Sequence, residues 1–428
     1  MKNRYLSLLI VAGLTMSMMI SGCSKTEGTA PTAAETTAPG TWEPIPEPSE
    51  EPTPEVVEVE EEPQEEVVEG CYRSELTNEW IDEALVNQRP IAAMVDNERT
   101  ALNHFGVNSC DIVYEIMNST ANDRITRLMC VVKDYTSIEQ LGSIRSTRPT
   151  NFMLAGEYDA ILVHDGGPFY NNEYYARDYV DNLSGGFARF NNGKSSEFTE
   201  YITPEAYTNA KGKTFDGIIK RIEDEKYSVE YTEHYQGNHF TFSNADYKLS
   251  DPEINSDVSN VKEALEVDLS GAFHHNASKL VYNEETASYD YYEYGKPHVD
   301  ELDNGNITSF KNLIIYSVDF NRLDENGYLI YNVIGSGSDG WFLTNGEAVP
   351  IAWAKESENG KTIYKNSQTG EDIVLNTGKT YIALIPSDTW NDIVVGKPEV
   401  EESAEGQEGE GTSENAESTA DGTSNNVG

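Results

Sequence analysis

Short apolar runs, each closed by Asn, Asp, Gly or Ser, recur between Arg89 and Gly167. Residues 90–95, 111–117, 125–132 and 160–164 are rich in Ile, Val, Leu and Met and have the length of strands. Between the third and fourth runs, Arg148-Pro149-Thr150 opens a helix that extends to Glu157. Pro149 sits where a first-turn proline is tolerated, and Phe152, Met153 and Ala155 supply its apolar contacts. Phe215, Ile218, Ile219 and Ile222 recur at helical spacing and predict a second helix. Strands that fill a sheet, with helices for its faces, predict an N-terminal α/β domain over 71–235.

Past His239 the texture changes. Residues 239–242, 278–283, 289–294, 312–320, 328–334, 341–343, 351–354, 362–364 and 381–385 read as strands, and tyrosine and tryptophan are dense among them. Glu325-Asn326-Gly327, Thr344-Asn345-Gly346, Gln368-Thr369-Gly370 and Asn376-Thr377-Gly378 punctuate them as turns. The pattern predicts a mostly β domain, a barrel or sandwich, over 236–390. The expected fold class is therefore α+β or α/β, an α/β half followed by a β half.

The two ends follow another pattern. Lys2 and Arg4 precede an apolar run over 5–20, which ends in Ile20-Ser21-Gly22-Cys23. The run is short for a membrane span and has the layout of a secretory signal, so 1–22 are read as a lipoprotein signal peptide. Lipidation falls on Cys23, where two acyl chains would anchor the mature protein stably at the outer side of the cell membrane. Residues 23–70 are Thr, Ala, Pro and Glu with a single lysine, Lys25, and 391–428 are acidic with Gly, Ser, Thr and Asn. Neither can bury enough apolar surface to offset its ordering entropy, so a disordered tether and a disordered tail are expected.

These ends carry roughly half of the net charge of −44. The rest is still acidic, which excludes nucleic acid as a partner, because phosphate backbones need a basic footprint. Beyond Cys23 only Cys71, Cys110 and Cys130 remain, so one disulfide at most can form within the chain. Cys110 and Cys130 lie in apolar runs and read as small core residues. No cysteine–histidine spacing marks a metal, His274-His275 is a lone doublet, and no cofactor motif is present.

The densest unusual stretch is Gly142-Ser143-Ile144-Arg145-Ser146-Thr147-Arg148-Pro149, followed by His164-Asp165-Gly166-Gly167. Arg145 and Arg148, at the start of a predicted helix, would aim two guanidinium forks at one helix N-terminus, a good place for a phosphate or carboxylate. Arg124 and Arg127 begin the preceding strand and could line the same end. Gly166 and Gly167 permit close backbone approach. Arg127, Arg145, Arg148, Gly166 and Gly167 are thus the candidate ligand-binding set, with Glu115 and His164 as candidate acid/base groups. Pairing of the arginines with Asp111, Glu115, Asp134 or Glu139 is the structural alternative. No nucleophile elbow, phosphate-cradling loop or zinc-protease pair occurs.

Several of these residues fall in motifs through which the chain resembles the YerB-like bacterial lipoproteins, a two-part domain of unknown function. The motifs are Arg89-Pro90-Ile91-Ala92-Ala93-Met94-Val95-Asp96-Asn97, Asp111-Ile112-Val113-Tyr114-Glu115, Ile125-Thr126-Arg127, Arg145-Ser146-Thr147-Arg148-Pro149, Tyr158-Asp159-Ala160 and Val163-His164-Asp165-Gly166-Gly167. Gly295-Lys296-Pro297-His298-Val299-Asp300 and Gly335-Ser336-Gly337-Ser338-Asp339-Gly340-Trp341 continue them. The resemblance implies a lipid anchor, an N-terminal α/β part and a C-terminal β part, and no activity. A more distant similarity, to the LytR-CpsA-Psr phosphotransferases, implies arginines that hold a polyprenyl pyrophosphate. Three functions follow as expectations. They are binding of an anionic envelope ligand such as a glycan phosphate or lipid-linked phosphate, with the β domain docking a partner or glycan; an enzyme acting on such a ligand; and an envelope assembly factor without a small-molecule site.

Overall fold

The computed structural model describes residues 67–397; the signal peptide, Cys23 and most of the expected tether and tail lie outside the described residues. The apolar runs of the first half are strands: Ile91–Asp96, Ile112–Met117, Thr126–Val132 and Ile161–His164. All their residues are buried, which is why apolar positions run on without alternation. The helix Pro149–Gly156 begins with Pro149 at its first position and Arg148 as N-cap. The second helix is Ile218–Glu225, three residues later than the apolar spacing predicts. Thr214–Phe215 instead pairs with Tyr207–Thr208, and Gly217 caps the helix.

The two halves are not separate sheets. One mixed sheet runs in the order Lys262–Glu263, Glu347–Lys355, Gly340–Thr344, Asn312–Val318, Thr380–Pro386, Ile112–Met117, Thr126–Val132, Ile91–Asp96, Ile161–His164, Asn182–Ser184. The seam is the parallel pairing of Thr380–Pro386 with Ile112–Met117, in which Ile382 faces Tyr114 and Ala383 faces Glu115. On its other side Thr380–Pro386 pairs, also parallel, with Asn312–Val318. The structure is mostly β. An α/β domain standing by itself over 71–235 is not observed, because its sheet is completed by strands from the second half.

Alternation divides the sheet into two apolar faces. One carries Ala93, Val95, Val113, Leu128, Cys130, Leu313, Ile315, Tyr381 and Ala383. A second sheet packs there through Val267, Leu280, Tyr289 and Tyr291, in the order Lys296–Pro297, Ser288–Glu293, Lys279–Asn283, Glu266–Asp268, Val394–Gly396. The other face carries Met94, Ile112, Tyr114, Met129, Ile314 and Leu384, and the helix Pro149–Gly156 covers it through Phe152, Met153, Leu154 and Ala155. Stacked sheets were expected within the second half alone, whereas here the stack spans both halves. Val394–Gly396 also shows that the folded chain continues beyond 391, where the tail was expected to start.

Cys110 and Cys130 are buried free thiols and Cys71 is a half-buried one. Among the described residues no helix is long and apolar enough to cross a membrane.

Candidate functional site

Three of the singled-out arginines meet on the helix-covered side of the sheet. Asp96 ends the strand Ile91–Asp96, opposite Arg127 in the ladder, and holds two of them. Its Oδ1 is 3.1 Å from Arg127 Nη2, and its Oδ2 is 2.8 Å from Arg145 Nε. Arg127 also donates to the Ser146 carbonyl at 3.0 Å and to Ser146 Oγ at 3.1 Å. Arg148 shares that hydroxyl at 3.3 Å, donates to the carbonyls of Asn118 and Thr147, and lies 4.9 Å from the Tyr328 ring centroid. The Arg145-Ser146-Thr147-Arg148 stretch therefore folds so that its serine bridges two guanidinium groups.

The charge balance is uneven. Among the described residues the three arginines have one buried carboxylate near them, Asp96, which pairs with Arg127 and Arg145; the other acid in contact, Glu197, is half exposed and touches only Arg145. No carboxylate lies within ion-pair distance of Arg148 among the described residues. Burial, with the charges of Arg127 and Arg145 beside it, pulls the Arg148 pKa down to about 9. Burial also lowers that of Arg127, against the pull of Asp96. Arg127 Nε is buried and meets no acceptor among the described residues. Arg127 and Arg148 line a narrow crevice with Asn118, Asn151 and Tyr331, while Arg145, 28% exposed, is the arginine that solvent reaches.

The other expected members are arranged differently. Gly166 and Gly167 are exposed and adopt positive φ, and a Cβ on Gly167 would collide with the Asn171 side chain. The Gly166 carbonyl accepts from Thr147 N–H, which ties the glycine turn to the arginine stretch. His164 is buried, its Nδ1 bonded to the Gly166 carbonyl at 2.9 Å and its Nε2 to Asn182 Oδ1 at 3.2 Å. Burial lowers its pKa, and its ring stacks on Tyr175. It fixes the turn and offers no free nitrogen to a substrate. Arg124 leaves the group entirely and forms a two-pronged pair with Asp388.

Glu115 points to the opposite face of the sheet from Arg127, as strand alternation requires. Its Oε1 accepts from Thr126 at 2.7 Å and Ser278 at 2.6 Å, and its Oε2 accepts from Tyr291 at 2.9 Å and Tyr381 at 2.6 Å. Burial raises its pKa and the hydrogen bonds from Ser278 and Tyr381 oppose the rise. With donors drawn from both halves, it ties the two sheets together rather than serving the arginines. The sequence reading missed Asp96, although it closes an apolar strand. It also missed a second buried group close to Glu115, in which His104 meets Glu293 and His298, two residues near each other but far from His104 along the chain.

Comparison with known proteins gives the family. Residues 76–226 match "Protein of unknown function (DUF3048) N-terminal domain", and residues 267–382 match its C-terminal counterpart. The chain belongs to this two-part family. A relative in the family, "Putative lipoprotein YerB" of Bacillus subtilis (strain 168), is 24% identical over 323 residues, covering 73% of this chain and 86% of the relative. A crystal structure of the YerB protein from Bacillus subtilis superposes with a TM-score of 0.60 at 20% identity, over 76% of this chain and all of that one. At that identity the likeness speaks for the fold. The two family matches cover separate stretches of the chain, yet in three dimensions their strands share one sheet.

Proposed function

We propose that this family member is a lipid-anchored protein on the outer side of the cell membrane that binds an anionic envelope ligand, a glycan phosphate or a lipid-linked phosphate, at Arg127, Arg145 and Arg148. The observation that carries the reading is the charge imbalance, three guanidinium groups against one buried carboxylate in an otherwise acidic protein. The Nε of Arg127 adds a buried donor that meets no acceptor among the described residues. Arg145 and the Gly166-Gly167 turn give the ligand its approach, with Glu197 the displaceable outer partner. The name of the Bacillus subtilis relative supports the lipoprotein part of the reading.

A second reading, an assembly factor without a small-molecule site, draws on the ion pairs of Arg127 and Arg145 with Asp96, which give both arginines a structural role. The enzymatic reading has less support, because Glu115 and His164 are both committed elsewhere.

Inorganic pyrophosphate and a polyprenyl phosphate in detergent are the probes. A ligand that binds only the folded state raises the melting temperature, and Arg148→Ala should abolish that rise, with Arg148→Lys a poor rescue. The lost charge-assisted contact is worth roughly 1.5 to 3 kcal/mol, about ten- to hundredfold in affinity. No shift of the wild type with either probe, together with early melting of ligand-free Arg145→Ala and Arg148→Ala, would leave the arginines structural. For the anchor, Cys23→Ala should leave the membrane fraction; unchanged partitioning rejects lipidation there.

A further inference from the structure

The second buried cluster has a hydrogen-bond arrangement that leaves little freedom for its protons. Asn108 donates its side-chain amide to Asp303 at 2.9 Å, so its Oδ1 is the acceptor for Thr308 Oγ1 at 2.5 Å. The one proton of Thr308 is thereby used, and His298 Nδ1, 2.7 Å from Thr308 Oγ1, must be the donor of that contact. On the other side, His104 Nε2 faces the Asp96 backbone carbonyl at 2.5 Å and must donate to it. Two neutral imidazoles so fixed turn their remaining nitrogens, His104 Nδ1 and His298 Nε2, toward each other as lone pairs, 2.7 Å apart.

Glu293 closes the group. Its Oε1 is 3.7 Å from His298 Nε2, its side chain is 1% exposed, and among the described residues neither oxygen has a well-placed donor, with only the Asn276 side chain offsetting its burial. Among the described residues no lysine or arginine pairs with Glu293 or with its buried neighbour Glu115. A buried carboxylate with no cationic partner, beside two opposed lone pairs, is a charge and hydrogen-bond deficit of the kind a cation fills. The donors lie within 4.8 Å of one another. A tetrahedral ion with bonds of about 2.0–2.2 Å holds its donors about 3.3 Å apart, so sub-ångström to ångström adjustments of three side chains suffice. Each histidine already donates its outer N–H to a carbonyl or hydroxyl, the usual support of a metal-bound imidazole.

We propose that His104 Nδ1, His298 Nε2 and the Glu293 carboxylate bind a divalent transition-metal ion of the zinc class. The ion joins a loop of the first half to the second sheet and acts structurally, since all three side chains are buried. Nitrogen and carboxylate donors favour zinc over calcium or magnesium, which take oxygen ligands.

The test uses the full chain in detergent, without a histidine tag, unfolded with chelator and refolded with or without Zn²⁺, because a buried ion loads as the site forms. One equivalent of zinc should survive desalting and raise the melting temperature by several degrees. Co²⁺ in its place should show the visible bands of a low-coordinate site of two imidazole nitrogens and carboxylate oxygen. Glu293→Gln and His298→Gln should each weaken Zn²⁺ binding at least about tenfold. Failure of the wild type to retain zinc, or a retained equivalent that neither substitution weakens, overturns the proposal and leaves the histidines sharing a proton. If a variant does not fold, the zinc stoichiometry and cobalt spectrum of the wild type decide alone.

Discussion

At the scale of single residues, this protein places charge where solvent cannot screen it, and the protonation states follow from the partners. Glu157 is fully buried and ion-paired with Lys355 at 3.0 Å, while Thr362 donates to it from N–H and hydroxyl at 3.1 and 2.8 Å. His239 lies 3.4 Å from the same carboxylate, and its Nε2 meets the Thr362 carbonyl at 3.0 Å. Its Nδ1 is buried and has no partner among the described residues, so a second proton there would meet no acceptor. Burial accordingly lowers its pKa to about 4, although Glu157 pulls the other way. The unfolded chain takes up this proton near pH 6.5 and the folded one only near pH 4, so the unfolded state binds more protons between the two values. Stability from this group is therefore complete above pH 6.5 and lost as pH falls toward 4, by about 3 kcal/mol. His239→Phe should flatten the wild-type loss across that window in denaturant melts at stepped pH. Parallel profiles for the two proteins would show that His239 takes up its proton at the same pH folded and unfolded, which overturns the lowered pKa.

At the scale of elements, local pattern carried most of the information. The four apolar runs of the first half and the tyrosine-rich runs of the second are strands to within a few residues, because burial on one or both faces writes itself into the chain. Asn345 and Gly346 both take positive φ and join Gly340–Thr344 to Glu347–Lys355, as the turn signal there predicts. The arginine group was legible for the same local reason, since Arg145 and Arg148 flank one serine at a helix start. Val394–Gly396 was not legible, because three residues give no period and the acidic tail follows them. Yet Val395 pairs with Val267, packs against the core, and accepts from Lys262 Nζ at 2.9 Å. Ending the chain at Ile393 should therefore lower the melting temperature by several degrees, on the order of 1–3 kcal/mol. Ending it at Lys397 should leave the temperature unchanged. Equal melting of the two shortened chains would mean that this edge strand contributes nothing.

At the scale of the whole molecule, the order of strands decides how the two family parts relate. Period-two patterns say that a segment is a strand but not which distant strand it joins, so the pairing of Ile112–Met117 with Thr380–Pro386 leaves no mark in the sequence. The same distance hid the meeting of His104 with His298. One consequence is that the first half cannot complete its own structure. Without Thr380–Pro386 the strand Ile112–Met117 becomes a bare sheet edge, although all six of its residues are buried in the intact protein. Glu115 would also lose Ser278, Tyr291 and Tyr381, three of the hydroxyls that hold its carboxylate, and an inward-facing acid without donors is costly. A fragment of residues 67–235 alone should thus lack fixed tertiary packing, with weak near-ultraviolet circular dichroism and no cooperative melt. Mixed during refolding with a fragment of residues 236–397, it should regain both, since the missing strand and donors return with the partner. A sharp, reversible melt of the first fragment by itself would instead establish that half as an independent domain, with the shared sheet formed only by later docking.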